Sequence, residues 1–118
     1  MSDMTRVVVV DDDPGVGQLM SDILGLEGYC VDVATSGMQG ITLCERNHYT
    51  VALVDMSMPG MNGVDTLRGI RRVDPETRVI MFSGYWVEHL AEDAIREGAE
   101  TVLTKPLDLD SLLSLLAA

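Results

Sequence analysis

Positive charge is scarce in this chain. Eight lysines and arginines stand against nineteen aspartates and glutamates in 118 residues, giving a net charge of −11. A surface of that sign repels phosphate backbones and anionic headgroups, which argues against direct binding of nucleic acid or a membrane surface. No basic or helix-turn-helix segment is present, so any output on DNA belongs to residues outside these. Cysteine is nearly absent: Cys30 and Cys44 lack the spacing of a zinc ribbon or a redox Cys-x-x-Cys, and both are expected as reduced thiols. No run reaches the roughly 18 apolar residues of a membrane span. The stretch Met1-Ser2-Asp3-Met4-Thr5-Arg6 has no apolar core with a cleavage site behind it, so no signal peptide is expected. Repeats, low-complexity tracts and linkers are lacking too. The expectation is one compact domain over residues 1–118 in a cytoplasmic setting, and 47% hydrophobic content fits one core.

What the chain does have is alternation. Five short apolar runs are each followed by an amphipathic segment, a βα repetition that predicts an α/β fold with a parallel sheet covered by helices on both faces. The first strand is placed at 6–11; Asp13 caps a helix with Pro14 at its first position and Val16, Leu19, Met20, Ile23 and Leu24 inward, until Gly28. A second strand over 30–34 precedes a helix from the Ser36 cap to about Arg46 that buries Met38, Ile41 and Cys44. A third strand over 50–54 leads through a turn to Asn62, which caps a helix with Val64, Leu67, Ile70 and Val73 inward and Asp74-Pro75 at its end. The fourth strand, 78–82, precedes a helix with Val87, Leu90, Ala91, Ala94 and Ile95 on one stripe, closed by Gly98. The fifth, 100–104, ends at Pro106, and Asp108 or Asp110 caps a last helix bearing Leu109, Leu112, Leu113, Leu115 and Leu116. That leucine-rich helix at the end of the sequence leaves two readings open: a chain truncated from a longer protein, or a helix that pairs with a partner.

Polar groups follow four of the five apolar runs. Asp11 and Asp12 come after Val7 to Val10, Asp55 after Val51 to Val54, Ser83 after Val79 to Phe82, and Lys105 after Val102 to Thr104. In an open parallel sheet ligands bind beyond the carboxyl ends of the strands, so these groups are expected at one edge, with Asp55 presented rather than buried. Clustered carboxylates repel unless a cation neutralises them, and a hard cation such as Mg²⁺ suits oxygen ligands. Carboxylate, hydroxyl, ammonium and metal together are the parts for phosphoryl transfer to aspartate, with no general base because an ionised carboxylate is already a nucleophile.

Val-Val-Val-Asp-Asp-Asp-Pro, Asp-Met-Ser-Met-Pro-Gly-Met-Asn-Gly, Phe-Ser-Gly and Thr-Lys-Pro occur in that order across nearly the whole chain. In this the sequence resembles a chemotaxis-regulator-like receiver domain of a two-component response regulator. The resemblance implies a flavodoxin-like five-stranded parallel sheet of order 2-1-3-4-5. It implies Asp55 as phosphoacceptor, Ser83 and Lys105 as the hydroxyl and lysine that meet the phosphoryl group, and a cis peptide before Pro106. Mg²⁺ would be held by Asp12, Asp55 and the Ser57 backbone carbonyl, with Asp11 acting through water. The implied partners are a sensor histidine kinase and a downstream effector or fused output domain, with a homodimer through the face of the fourth helix, fifth strand and fifth helix. Such a domain is regulatory and not an enzyme beyond promoting its own phosphorylation and dephosphorylation.

Val102 departs from the pattern, because the family usually has Tyr or Phe three residues before the lysine. Tyr85 or its neighbour Trp86 is the candidate replacement for that switch, and Ser57 and Tyr85 sit where the family borders the attacking water. Two rival functions remain. One is an aspartate-nucleophile phosphatase using Asp11, from the Asp11-x-Asp13 outline, although Gly15 stands where that superfamily has Thr or Val. The other is a phosphorylation-independent docking or dimerisation module. Asp13 reads more simply as a helix cap, His48 and His89 as surface or loop residues, Met56, Met58 and Met61 as packing, and Gly60 and Gly63 as turn residues.

Overall fold

The computed structural model describes residues 5–58, 60–84, 88–105 and 108–118. The elements alternate along the chain: β1 (Arg6–Val10), α1 (Pro14–Leu26), β2 (Cys30–Ala34), α2 (Gly37–Arg46), β3 (Val51–Asp55), α3 (Gly63–Val73), β4 (Arg78–Ser83), α4 (Glu88–Arg96), β5 (Thr101–Thr104) and α5 (Leu109–Ala117). The strands form one parallel sheet in the order β2-β1-β3-β4-β5, as expected, with β2 at an edge. From β1 the chain first moves outward to β2 and then crosses back to β3, so the switch point lies between the carboxyl ends of β1 and β3.

Strand periodicity divides the core. Val7, Val9, Val51, Leu53, Ile80 and Phe82 face α1 and α5, where Met20, Leu24, Leu112 and Leu116 meet them. Val8, Val10, Ala52, Val54, Val79 and Met81 face the other way, against Ile41 and Cys44 of α2, Leu67 and Ile70 of α3 and Ala94 of α4. Leu24 and Leu112 are fully buried, and each contributes about 1.5–3 kcal/mol relative to an exposed leucine. Helix boundaries follow local chemistry. Asp13, Ser36, Asn62 and Asp108 accept backbone N–H groups at the four helix starts expected for them, and Gly28 and Gly98 end α1 and α4 with φ of +94° and +111°.

The inward stripes differ from the sequence reading at several positions. Leu19 and Met38 are each 59% exposed, and Leu90, Ile95 and Leu109 also face outward. On α1 and α2, Gly17 and Gly40 take places against the sheet beside Met20, Leu24, Ile41 and Cys44. A Cβ on Gly17 would lie 2.5 Å from Val33 Cγ1, and one on Gly40 2.7 Å from Val10 Cγ2. Those helices sit so close to the sheet that only glycine fits, and a hydropathy pattern does not register glycine. The two thiols are free; Cys30 is exposed on the edge strand, while burial pushes the Cys44 thiol up to about 11. Val87 of the expected fourth stripe lies outside the described residues.

Candidate functional site

β1 ends at Val10, and the chain turns at once: the Asp11 N–H donates to the Ala34 carbonyl at 3.0 Å, and Asp11 Oδ1 accepts the Asp13 N–H at 2.9 Å. Asp13 Oδ1 in turn accepts the Gly15 N–H at 2.9 Å, so Asp13 caps α1. Asp12 projects into solvent at the rim. Asp55 corrects the sequence reading. It is the last residue of β3 rather than the first of the turn, and with 4% exposure it is buried, not presented. Its Oδ1 accepts the Ser57 N–H at 3.0 Å, which ties the following loop to the carboxylate. Ser83 likewise belongs to β4 and is buried at its end.

The sheet brings the expected groups together. One carboxylate oxygen from each of Asp11, Asp12 and Asp55 falls within 4.8 Å of the others. Lys105 reaches across from the end of β5, its Nζ 3.6 Å from both Asp11 Oδ2 and Asp55 Oδ2. Its own N–H donates to the Ser83 carbonyl at 2.7 Å. Burial pushes the Asp11 carboxyl above its ordinary range and the Asp55 and Asp12 charges add to this, opposed by the Asp13 N–H and by Lys105. Three carboxylates against one ammonium leave an excess of negative charge in a partly dry pocket. Asp11 Oδ2 is buried and accepts no hydrogen bond among the described residues. A buried acceptor with only an ammonium at 3.6 Å, beside two further carboxylates, makes a ligand set that a hard divalent cation completes.

One contributor was not singled out from the sequence, and another was given a different role there. Phe82 lies next to Asp55 across the β3–β4 register, and Lys105 Nζ sits 5.1 Å from its ring centroid. At the end of an apolar run Phe82 looks like another core residue. Gly63, read as a turn glycine, starts α3 directly behind Asp55, where a Cβ would lie 2.6 Å from the Asp55 carbonyl oxygen. Val102 packs with the α2–α3 side of the core. Tyr85, Trp86 and the peptide before Pro106 lie outside the described residues.

A family model for the response regulator receiver domain matches residues 7–117. Among curated relatives, sporulation initiation phosphotransferase F of Bacillus subtilis (strain 168) is 29% identical over 107 residues, 91% of this chain and 86% of its own length. Regulatory protein AtoC of Escherichia coli (strain K12) is 33% identical over 95% of this chain, which spans only 24% of that relative's length. A CheY-like response regulator receiver domain protein from Methanospirillum hungatei JF-1 superposes with a TM-score of 0.93 at 28% identity, covering 98% of this chain and 92% of the other. The CheX–CheY–BeF3–Mg²⁺ complex from Borrelia burgdorferi contains a chain that superposes at 0.88 with 30% identity, covering 95% and 86%.

The chain belongs to the response regulator receiver domain family. It is a regulatory, phosphoacceptor signalling domain of two-component systems, of the kind that binds a divalent metal at an acidic pocket, interacts with histidine kinases and is often fused to an output domain.

Proposed function

We propose that Asp55 is the phosphoacceptor and that the reaction requires Mg²⁺. An Asp55 carboxylate oxygen forms the new bond to phosphorus while the bond from phosphorus to the donor breaks, the electron pair leaving with the donor's imidazole or carboxylate. Lys105, 3.6 Å from Asp55 Oδ2, pairs with the phosphoryl oxygens, and the Ser83 hydroxyl donates to one of them in the product. Asp12, Asp55 and the Ser57 carbonyl would hold Mg²⁺, with Asp11 acting through water, and the metal would supply charge neutralisation at the transferring oxygens. The observation that carries this is the buried Asp55 with Lys105 Nζ 3.6 Å from both it and Asp11 Oδ2, an oxygen that accepts no hydrogen bond among the described residues. The Mg²⁺ in the Borrelia burgdorferi complex supports the choice of metal.

The donor is a phosphohistidine on a sensor histidine kinase, and the response passes to an effector or to an output domain beyond residues 1–118, which themselves form one receiver domain. The exchanging surface is the α4–β5–α5 face, which also serves a homodimer. The chain has no enzymatic role towards other substrates and works in the cytoplasm; no helix among the described residues is long and apolar enough to cross a membrane. Incubation with a small acyl phosphate and Mg²⁺ should add one phosphoryl group by intact mass, and Asp55→Asn should add none. An unmodified wild type, or equal labelling of Asp55→Asn, overturns the assignment.

A further inference from the structure

Lys105 stands close to Asp55 without a closed hydrogen bond to it. A charge-assisted hydrogen bond to a carboxylate closes to about 2.7–2.9 Å, and such a bond would take one of the lone-pair sites of the Asp55 carboxylate. The observed separations are 3.6 Å to Asp55 and 3.6 Å to Asp11, although nothing covalent limits a flexible four-carbon stem to that distance. The Phe82 ring adds a further attraction on the ammonium beside the two carboxylates. Its centroid is 5.1 Å from Lys105 Nζ, inside the roughly 6 Å reach of a cation–π contact, and Lys105 is 32% exposed, so water screens the contact only in part.

The ring is a fixed platform. Phe82 is fully buried in the layer containing Leu53 and Leu112. Its carbonyl accepts the Met56 N–H at 2.9 Å, and the next residue's carbonyl accepts the Lys105 N–H at 2.7 Å. Ring, acceptor strand and lysine backbone are therefore held in one frame, and the ammonium is the part left to be placed.

We propose that Phe82 is a positioning residue for phosphoryl transfer: its ring face holds the Lys105 ammonium between Asp11 and Asp55, ready for the phosphoryl oxygens. The proposal rests on the assignment of Asp55 as phosphoacceptor. The role depends on an aromatic side chain at position 82, because an aliphatic residue offers no π face.

Phe82 is the one phenylalanine in the sequence, so growth on ring-fluorinated phenylalanine alters a single site. Added fluorines weaken the ring quadrupole at nearly constant shape. With one, two and three fluorines the initial rate of phosphorylation by a small acyl phosphate and Mg²⁺ should fall stepwise, by about tenfold in all, while the unfolding midpoint stays constant. In a Lys105→Ala background the dependence on fluorine should vanish, which a packing effect would not produce. Should the trifluorinated chain fail to fold, Phe82→Leu takes its place and should lose the same rate, again only when Lys105 is present. A rate independent of fluorine, or an equal slope without Lys105, overturns the proposal. Absence of phosphorylation in the unfluorinated wild type would instead overturn the assignment of Asp55.

Discussion

Gly60 and Gly63 look alike in Pro-Gly-Met-Asn-Gly, yet they are glycines for different reasons. Gly60 has φ of +80° and open space around it, so a side chain there meets only backbone strain. A methyl on Gly63 would lie 2.5 Å from Met56 Cα and 2.6 Å from the Asp55 carbonyl oxygen, and backbone cannot swing aside as a side chain can. Gly60→Ala should therefore cost about 1–2 kcal/mol in urea unfolding and leave the phosphorylation rate per folded molecule unchanged. Gly63→Ala should slow that rate by about ten- to a hundredfold, because the acceptor strand must shift. Equal rates for the two variants would show that close approach at Gly63 does not position Asp55. The sequence displayed both glycines, but the distinction between them depends on what the fold brings alongside.

At the scale of elements, α5 is held by more than its leucines. Arg78, at the start of β4, donates to both Glu100 carboxylate oxygens at 2.7 Å and to the Leu115 carbonyl at 2.7 Å, joining the sheet to the last turn of the helix. The hydrogen bonds from Arg78 hold the Glu100 carboxyl below its ordinary range, against desolvation, with the Arg78 charge adding to the lowering. A depressed folded-state value means that the pair stabilises above the unfolded glutamate pKa of about 4.3 and that this stabilisation is lost as pH falls through the folded value. Glu100→Gln should cost about 0.5–1 kcal/mol at pH 7, a figure limited by solvent screening at a partly exposed site. The cost should shrink as pH falls from about 4.3 through the depressed folded value, as read by urea unfolding at pH 7 and at a series of acid pH values. The capped starts of α1, α2, α3 and α5 were legible because each cap lies next to its own helix. This link, between residues 22 and 37 positions apart, has no local signature.

Across the whole molecule, a net charge of −11 is concentrated further at the strand ends, where Asp11, Asp12 and Asp55 converge on one lysine. The folded state thus carries an electrostatic cost at the place where it functions. Asp11→Asn should raise the unfolding midpoint by on the order of 4 °C with chelator present, and Mg²⁺ should narrow or reverse that difference because the wild type gains more from the ion. A midpoint lowered by Asp11→Asn in chelator would rule out this source of strain. The sequence by itself determined the order of strands and helices, most helix starts, and which polar residues stand at strand ends. These follow from periods of two and 3.6 and from caps, all of which operate within a few residues. Only the tertiary structure decided that Asp55 is buried, that Gly17 and Gly40 rather than Leu19 and Met38 face the sheet, and that Phe82 lies beside the lysine. The physical reason is that such contacts depend on register between distant strands and on close approach at glycines, neither of which leaves a trace in local hydropathy.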